Sequence, residues 1–402
     1  MKSAEFDIKM PRAKKRPSAI GSLLGAALII SMAAQTALGQ PPDLQWEKSF
    51  GGAGDERGLA IQETRDAGLI ATGFTGSKGA GGRDILLIKT DKDGGLEWER
   101  TVGGPGRDEG WALVETKEGF VVAGVTDSWG SGKKDLLLVN TDSEGYERWK
   151  KTFGGAGDDW GVALLETKDG FVVAGVTTSS GSGGSDGWIV KTDPDGNGEW
   201  EVAIGGSKND GFNSILETED GYILTGTTES YGSGGKDLWI VRTDGNGEKI
   251  WEKTFGKGAD ERGNYILEAG GSLYAVGAAE SGSYGGRDLF VVKTGKDGDK
   301  VWEGAYGGTG DDGGSSALAA KDGGIIVVGY TSSQGNGDTD LWLLKIDPKG
   351  EKVWERTFAG GGFDLGRSIV TTKDGGLAIV GWRRPVGSGS QDLWLLKTEK
   401  LQ

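Results

Sequence analysis

From Trp111 onward the chain alternates between two textures. Four short runs, "WALVET", "FVVAGVT", "DLLLVNT" and "ERWKKTF", are separated by stretches rich in Gly, Ser, Asp and Lys. The two middle runs are nearly continuous in apolar residues, as expected of strands covered on both faces. The fourth run alternates. Trp149, Lys151 and Phe153 lie on one face and Lys150 and Thr152 on the other, which predicts an outermost strand, half open to water and guarded by charge. Short Glu-Gly and Asp-Gly turns join the first run to the second and the third to the fourth, in the manner of hairpins.

This design recurs. Trp46, Trp98, Trp149, Trp200, Trp251, Trp302 and Trp354 follow one another at intervals of 51 or 52 residues. Four short antiparallel strands in about 50 residues, repeated without a linker, predict an all-β, seven-bladed β-propeller. The ends predict how it closes. Residues 44–50 form a lone fourth strand, and 392–398 a third strand with no fourth after it. Pairing the two would complete the last blade and latch the ring. The first strand of each unit should line the axis, where space is tight. Twelve residues after each Trp stands Gly, except at Phe212. Fourteen after stands Ala or Ser, except at Tyr265.

The repeat "W-x3-FGG…D…DGG(F/Y)(V/I)(V/L)AG-x-T-x-S-x-G-x-G-x-x-D-L-W-(L/I)-(L/V)-K-T-D" resembles the tandem seven-bladed propeller repeats of secreted bacterial and archaeal proteins. It is more distantly similar to quinoprotein-like and WD40-like propellers. The resemblance spans residues 44–399 and implies the fold. It implies no shared catalytic motif, because such repeats serve many roles.

Composition narrows the chemistry. There is no Cys and no His, which excludes disulfides, thiol nucleophiles, Cys/His metal centres and imidazole-based triads. No metal and no cofactor is called for. At the N-terminus, Lys14, Lys15 and Arg16 precede the apolar run Ala19–Ala34 and the small residues around Ala37 and Gly39. This predicts a signal peptide over 1–39, with the propeller over 40–402 exported, secreted or periplasmic, and monomeric. The formal charge of −15 argues against nucleic acid or an anionic membrane as partner. The corner "FGGAGD", Phe50–Asp55, looks at first like a phosphate cradle. It opens a strand and ends in carboxylates, so phosphate is not its ligand.

Ten residues after each Trp the chain is acidic: Glu56, Asp108, Asp159, Asp210, Glu261, Asp312 and Asp364. Two readings stand: a carboxylate ring at one channel mouth, or an internal acceptor for each glycine turn. Asp193, Asp195 and Asn197 match the front half of a calcium loop, but the closing acid is absent: the twelfth position is Ile204. Function is expected where blades differ. Trp129, Tyr231 and Tyr284 stand in the loops between second and third strands, and Trp111 and Trp160 near the start of inner strands. Phe212 and Tyr265 break the small-residue pattern, Lys257 marks one corner, and Arg383 and Arg384 occur only in the last blade. Aromatics among small polar residues suit a glycan, a peptide or a protein surface. Three uses follow: a non-catalytic binding or scaffold module, a carboxylate-based polysaccharide hydrolase or lyase, or a structural component of the cell envelope.

Overall fold

The computed structural model describes residues 39–280 and 285–401. The predicted signal segment and Tyr284 lie outside the described residues. Strands run from β1 (Leu44–Phe50) to β28 (Asp392–Thr398) and form seven four-stranded antiparallel sheets. Six blades take their strands consecutively, innermost first. The seventh has the order β1-β28-β27-β26, where β26 is Phe363–Thr371 and β27 is Leu377–Arg384. The chain is therefore a closed seven-bladed β-propeller, latched as its ends predict.

The latch is a ladder with side chains on both sides. Trp46 lies opposite Lys397, and Phe50 opposite Leu393. Glu47 accepts a hydrogen bond from Trp394 Nε1 at 3.0 Å, and Asp43 pairs with Arg356 at 2.6 Å.

Each core cluster lies between two adjacent blades rather than within one. Val172 and Ala174 of the third blade, for example, pack with Leu224 and Trp239 of the fourth. Second and third strands are buried along almost their whole length, and outer strands are half open. The recurring outer-strand Trp joins neighbours: the Trp149 ring lies against Gly196, in the outer hairpin of the following blade. Buried lysines tie strands together within a blade. Lys397 Nζ reaches Asp374, and Lys89 reaches Asp66 and Glu97 at 3.0 and 2.9 Å.

Every inner strand carries a β-bulge, between Gly58 and Ala60 in the first blade and at the equivalent place in the other six. The residue inserted there is Leu59, Trp111, Val162, Asn213, Asn264, Ser315 or Arg367. A bulge re-aims side chains, and these seven all line one axial cavity.

Candidate functional site

The seven inner acids do not form an open ring. Glu56, Asp108, Asp159, Asp210, Glu261, Asp312 and Asp364 are at most 3 % exposed. They anchor the corners. Asp108 Oδ2 accepts from Gly104 N–H at 2.8 Å and Ser128 Oγ at 2.7 Å, and Oδ1 accepts from Thr126. Burial alone would raise the Asp159 carboxyl, but hydrogen bonds from Ser179, Thr177, Gly155 and Thr178 outweigh it and hold the group below its ordinary value. A charge deep in the fold is tolerated where donors surround it.

The Asp that opens each third strand has fewer donors. One oxygen of Asp186 accepts from Ser182 N–H at 2.8 Å, and the other has no partner. Burial pushes this carboxyl up, and Asp210 of the next blade pushes it further. Burial likewise raises Asp135, Asp237, Asp340 and Asp392. Gly205 passes between Asp186 and Asp210, where a Cβ would lie 1.9 Å from one carboxylate oxygen and 2.9 Å from the other.

These shifts have a signed consequence. An acid whose pKa is higher folded than unfolded holds its proton more tightly when folded, so lowering pH from neutrality toward that raised value adds stability. Asp374 behaves oppositely. Burial would raise it, but Lys397, Thr372 and the Gly376 N–H hold it at about 2. Its contribution is present above the ordinary 3.8 and is lost as pH falls through about 2. The melting temperature should therefore rise as pH falls from neutrality toward the ordinary carboxylate value of 3.8, and fall again as pH drops from there toward about 2. Asp186→Asn should raise it at about pH 7.5 and flatten the first limb. Melting curves across pH on both proteins check this; a steady fall from neutrality would contradict it.

The last blade departs from the corner pattern, and this accounts for Arg383. Where other blades end the second strand in Thr or Ala, Arg383 places its Nε 3.6 Å from Asp364 and its Nη1 3.3 Å from Glu47 of β1, over the Trp394 ring. It stands where most blades place a hydroxyl donor, faces Asp364 as a charge rather than through a hydrogen bond, and ties the latch, so it is not an open binding group. Arg384 is exposed, its guanidinium 5.9 Å from the Phe363 ring.

The other candidates divide. Phe212 is fully buried and stacks on Trp239 at 4.9 Å. It occupies space left by Gly187, which stands where the other third strands carry Leu or Ile. That repairs a packing gap, and Phe212 offers nothing to a ligand. Tyr231 donates to the Gly205 carbonyl at 2.8 Å and packs on its own blade. Trp129 packs against the core between blades one and two, under Lys150. Lys257 is exposed at the outer rim and ion-pairs with Glu303 at 2.7 Å. Tyr265 lines the axial cavity and hydrogen-bonds Ser316. In the turn that matches the front half of a calcium loop, Asp193 accepts from the N–H groups of Asp195 and Asn197 and from the Asn197 amide. Asp91, Asp142, Asp244 and Asp347 make the same turn. Among the described residues no group of three acids is placed to hold a metal.

Trp111 and Trp160 do meet. Both line a cleft of ≈ 290 Å³ on the loop face, with Val125 on its floor and Arg107, Glu109, Asp127 and Lys134 at its edges. The carboxylates here are occupied. Glu109 accepts from Arg83 at 2.7 Å and Arg107 at 3.2 Å, and Asp127 from the Arg107 N–H. Lys134 lies over the Trp160 ring. The Trp111 Nε1–H is buried without a partner. Trp111 also reaches inward to the axial cavity.

Beside this cleft, Phe74, Leu365 and Trp382 form an aromatic cluster with Leu59, flanked by Trp111, Tyr330 and Phe363. Arg57 lies over Phe74 and Trp382, and Arg83 over Phe74. Sequence reading passed over Phe74, Tyr330 and Trp382. All three follow the glycine of the second strand, where other blades carry Val, Thr or Ala. Aligning the blades on that glycine would have exposed the contrast.

No family model matches the chain. The regulatory protein FlaEY of Caulobacter vibrioides is 26% identical over 254 residues, covering 55% of this chain and 26% of that protein. The chain thus spans about a quarter of that relative's length. Among solved structures, polysaccharide lyase Uly1 is similar at TM-score 0.52 and 10% identity, over 87% of this chain and 91% of that one. The Pan2 WD40 domain of Neurospora crassa is similar at TM-score 0.50 and 10% identity, over 86% and 90%. BBS1N, solved in complex with ARL6DN, is similar at TM-score 0.50 and 11% identity, over 90% and 99%. At such identities the likeness is one of fold alone: the chain is a seven-bladed propeller with WD40 and other propeller neighbours.

Proposed function

We propose that the chain is an exported, monomeric, non-catalytic binding module. Its loop-face cleft at Trp111 and Trp160 takes a ring-bearing segment of a glycan or peptide. The observation that carries this is the pairing of two indoles on one cleft, edged by charges of both signs. Flat apolar faces with polar groups around them suit sugar rings and aromatic side chains. The cleft's carboxylates are held by arginines, which favours binding over acid–base catalysis. A regulatory protein among the relatives is compatible with a binding role. Export rests on the basic, apolar and small-residue order of segment 1–39.

A glycan and peptide array with purified material tests the reading, and the first residue of the exported protein should read Gln40. Trp160→Ala should weaken the ligand found by at least tenfold, about 1.4 kcal/mol. Trp129→Ala, outside the cleft, should leave affinity unchanged. No binding to either array, or equal loss in both variants, would refute the site.

A further inference from the structure

The axial cavity is a second place where the blades differ, and its chemistry is divided. All seven inner strands contribute to its ≈ 210 Å³. Blades one to three present Leu59, Trp111 and Val162. Blades four to seven present Asn213, Asn264, Ser315 and Arg367. Arg367 is the one charged residue of the lining.

The asparagines are structural. Asn213 Nδ2 donates to the Gly263 carbonyl and Asn264 Nδ2 to the Gly314 carbonyl, each at 2.8 Å. They satisfy carbonyls on the open edges of the next inner strands. Arg367 is different: among the described residues it makes no hydrogen bond, ion pair or ring contact. Its side chain is half-buried in the channel, and the desolvation it does suffer lowers its pKa with no counter-charge to offset the shift. A guanidinium carries five donors and stays protonated. Holding a partly desolvated guanidinium without a counter-charge costs some stability, which an anion bound beside it would offset. Ser368 adds a hydroxyl beside it on the same strand, and Ser315 lies in the adjoining blade.

We propose that the axial cavity binds one small organic carboxylate, its charge on Arg367 and its carbon chain against Leu59, Trp111 and Val162. A guanidinium matches a carboxylate in a two-pronged arrangement. The apolar side removes the chain from water, and the cavity admits few carbons. The site shares Trp111 with the loop-face cleft, but its charged residue, Arg367, lies outside that cleft, and the proposal needs no assumption about what the cleft holds.

Calorimetric titration with valerate, pentanol and inorganic phosphate tests this. Valerate should bind and pentanol should not. Phosphate should bind more weakly than valerate, because it leaves the apolar wall unused. Arg367→Gln should weaken valerate by at least tenfold, and Arg367→Lys should weaken it less. Without ligand, Arg367→Gln should melt slightly higher than the parent, since it removes a half-buried charge that has no counter-charge. A structural arginine would give the reverse. Absence of valerate binding, unchanged binding in Arg367→Gln, phosphate binding tighter than valerate, or a lower melting temperature in Arg367→Gln would each overturn the proposal.

Discussion

Deleting residues 41–50 should turn the closed ring into an open arc, and the product should run as oligomers or aggregates in size-exclusion chromatography. The deletion strips β28 of its ladder partner and leaves a row of unpaired N–H and C=O groups on an apolar strand. It also removes Trp46 and Phe50 from the cluster between blades seven and one. Glu47 no longer meets Arg383 and Trp394, and Arg356 loses Asp43. Several kcal/mol go at once, so the melting temperature should fall by about 10 °C or more. A permuted chain separates lost contacts from lost closure. It begins at residue 51 and carries 43–50 after residue 398, joined by the sequence of the Asp91–Gly95 turn. Glu399 N–H already bonds the Asp43 carbonyl at 2.7 Å, so the ends to be joined are adjacent. The permutant should be discrete and should melt near the parent. If the deletion alone behaves like the parent, the latch contributes little.

The fold was legible because a sevenfold repeat multiplies a weak signal. One "DLLLVNT" could be a buried strand or part of a helix; seven at one spacing, each beside a Trp-bearing alternating run, could not. Closure was legible because the units do not divide evenly into the chain. The bulge was not legible. Period-two alternation assumes an unbroken register, and a one-residue insertion changes which side chains face the axis. Arg367 was passed over for that reason, and Trp111 was expected at the mouth but not also in the channel.

The candidate site was half legible. Trp111 and Trp160 meet because their inner strands are neighbours on the ring. Phe212 was misread because its explanation, Gly187, belongs to the third strand of the preceding blade. The two positions are 25 residues apart and touch only across the blade interface. Arg383 was a binding candidate because it and Arg384 occur only in the last blade. Its partners, Glu47 and Asp364, come from the first strand of the chain and the corner of the last blade. Residues that differ between repeats thus fall into two kinds. Some compensate for another difference, and some have nothing to compensate. Arg367 and the Trp111–Trp160 pair are of the second kind.

Two adjacent residues of the fourth blade should respond to substitution in opposite ways, and the difference tests the architecture itself. Gly226 in the second strand lies opposite Phe212, next to the bulge. There the inner strand brings the Gly211 carbonyl so close that a Cβ on Gly226 would stand 1.9 Å from its oxygen. The obstacle is backbone held in a ladder, so no rotamer relieves it. In every blade a Cβ at the equivalent glycine would fall within 1.9 Å of a main-chain oxygen. Gly226→Ala should therefore cost at least about 3 kcal/mol, at the upper end for overpacking, and shift the urea midpoint markedly downward. Thr227 is the next residue, and its equivalents are Phe74, Val125, Val176, Ala278, Tyr330 and Trp382. The fold accepts side chains from methyl to indole there, because this position faces the mouth and not the bulge. Thr227→Val should move the midpoint by no more than about 0.5 kcal/mol. Equal tolerance at both residues would mean that the bulge is not where the inner strands converge. A large loss at Gly226 beside a small one at Thr227 would locate the constraint in the backbone and the freedom for function one residue away.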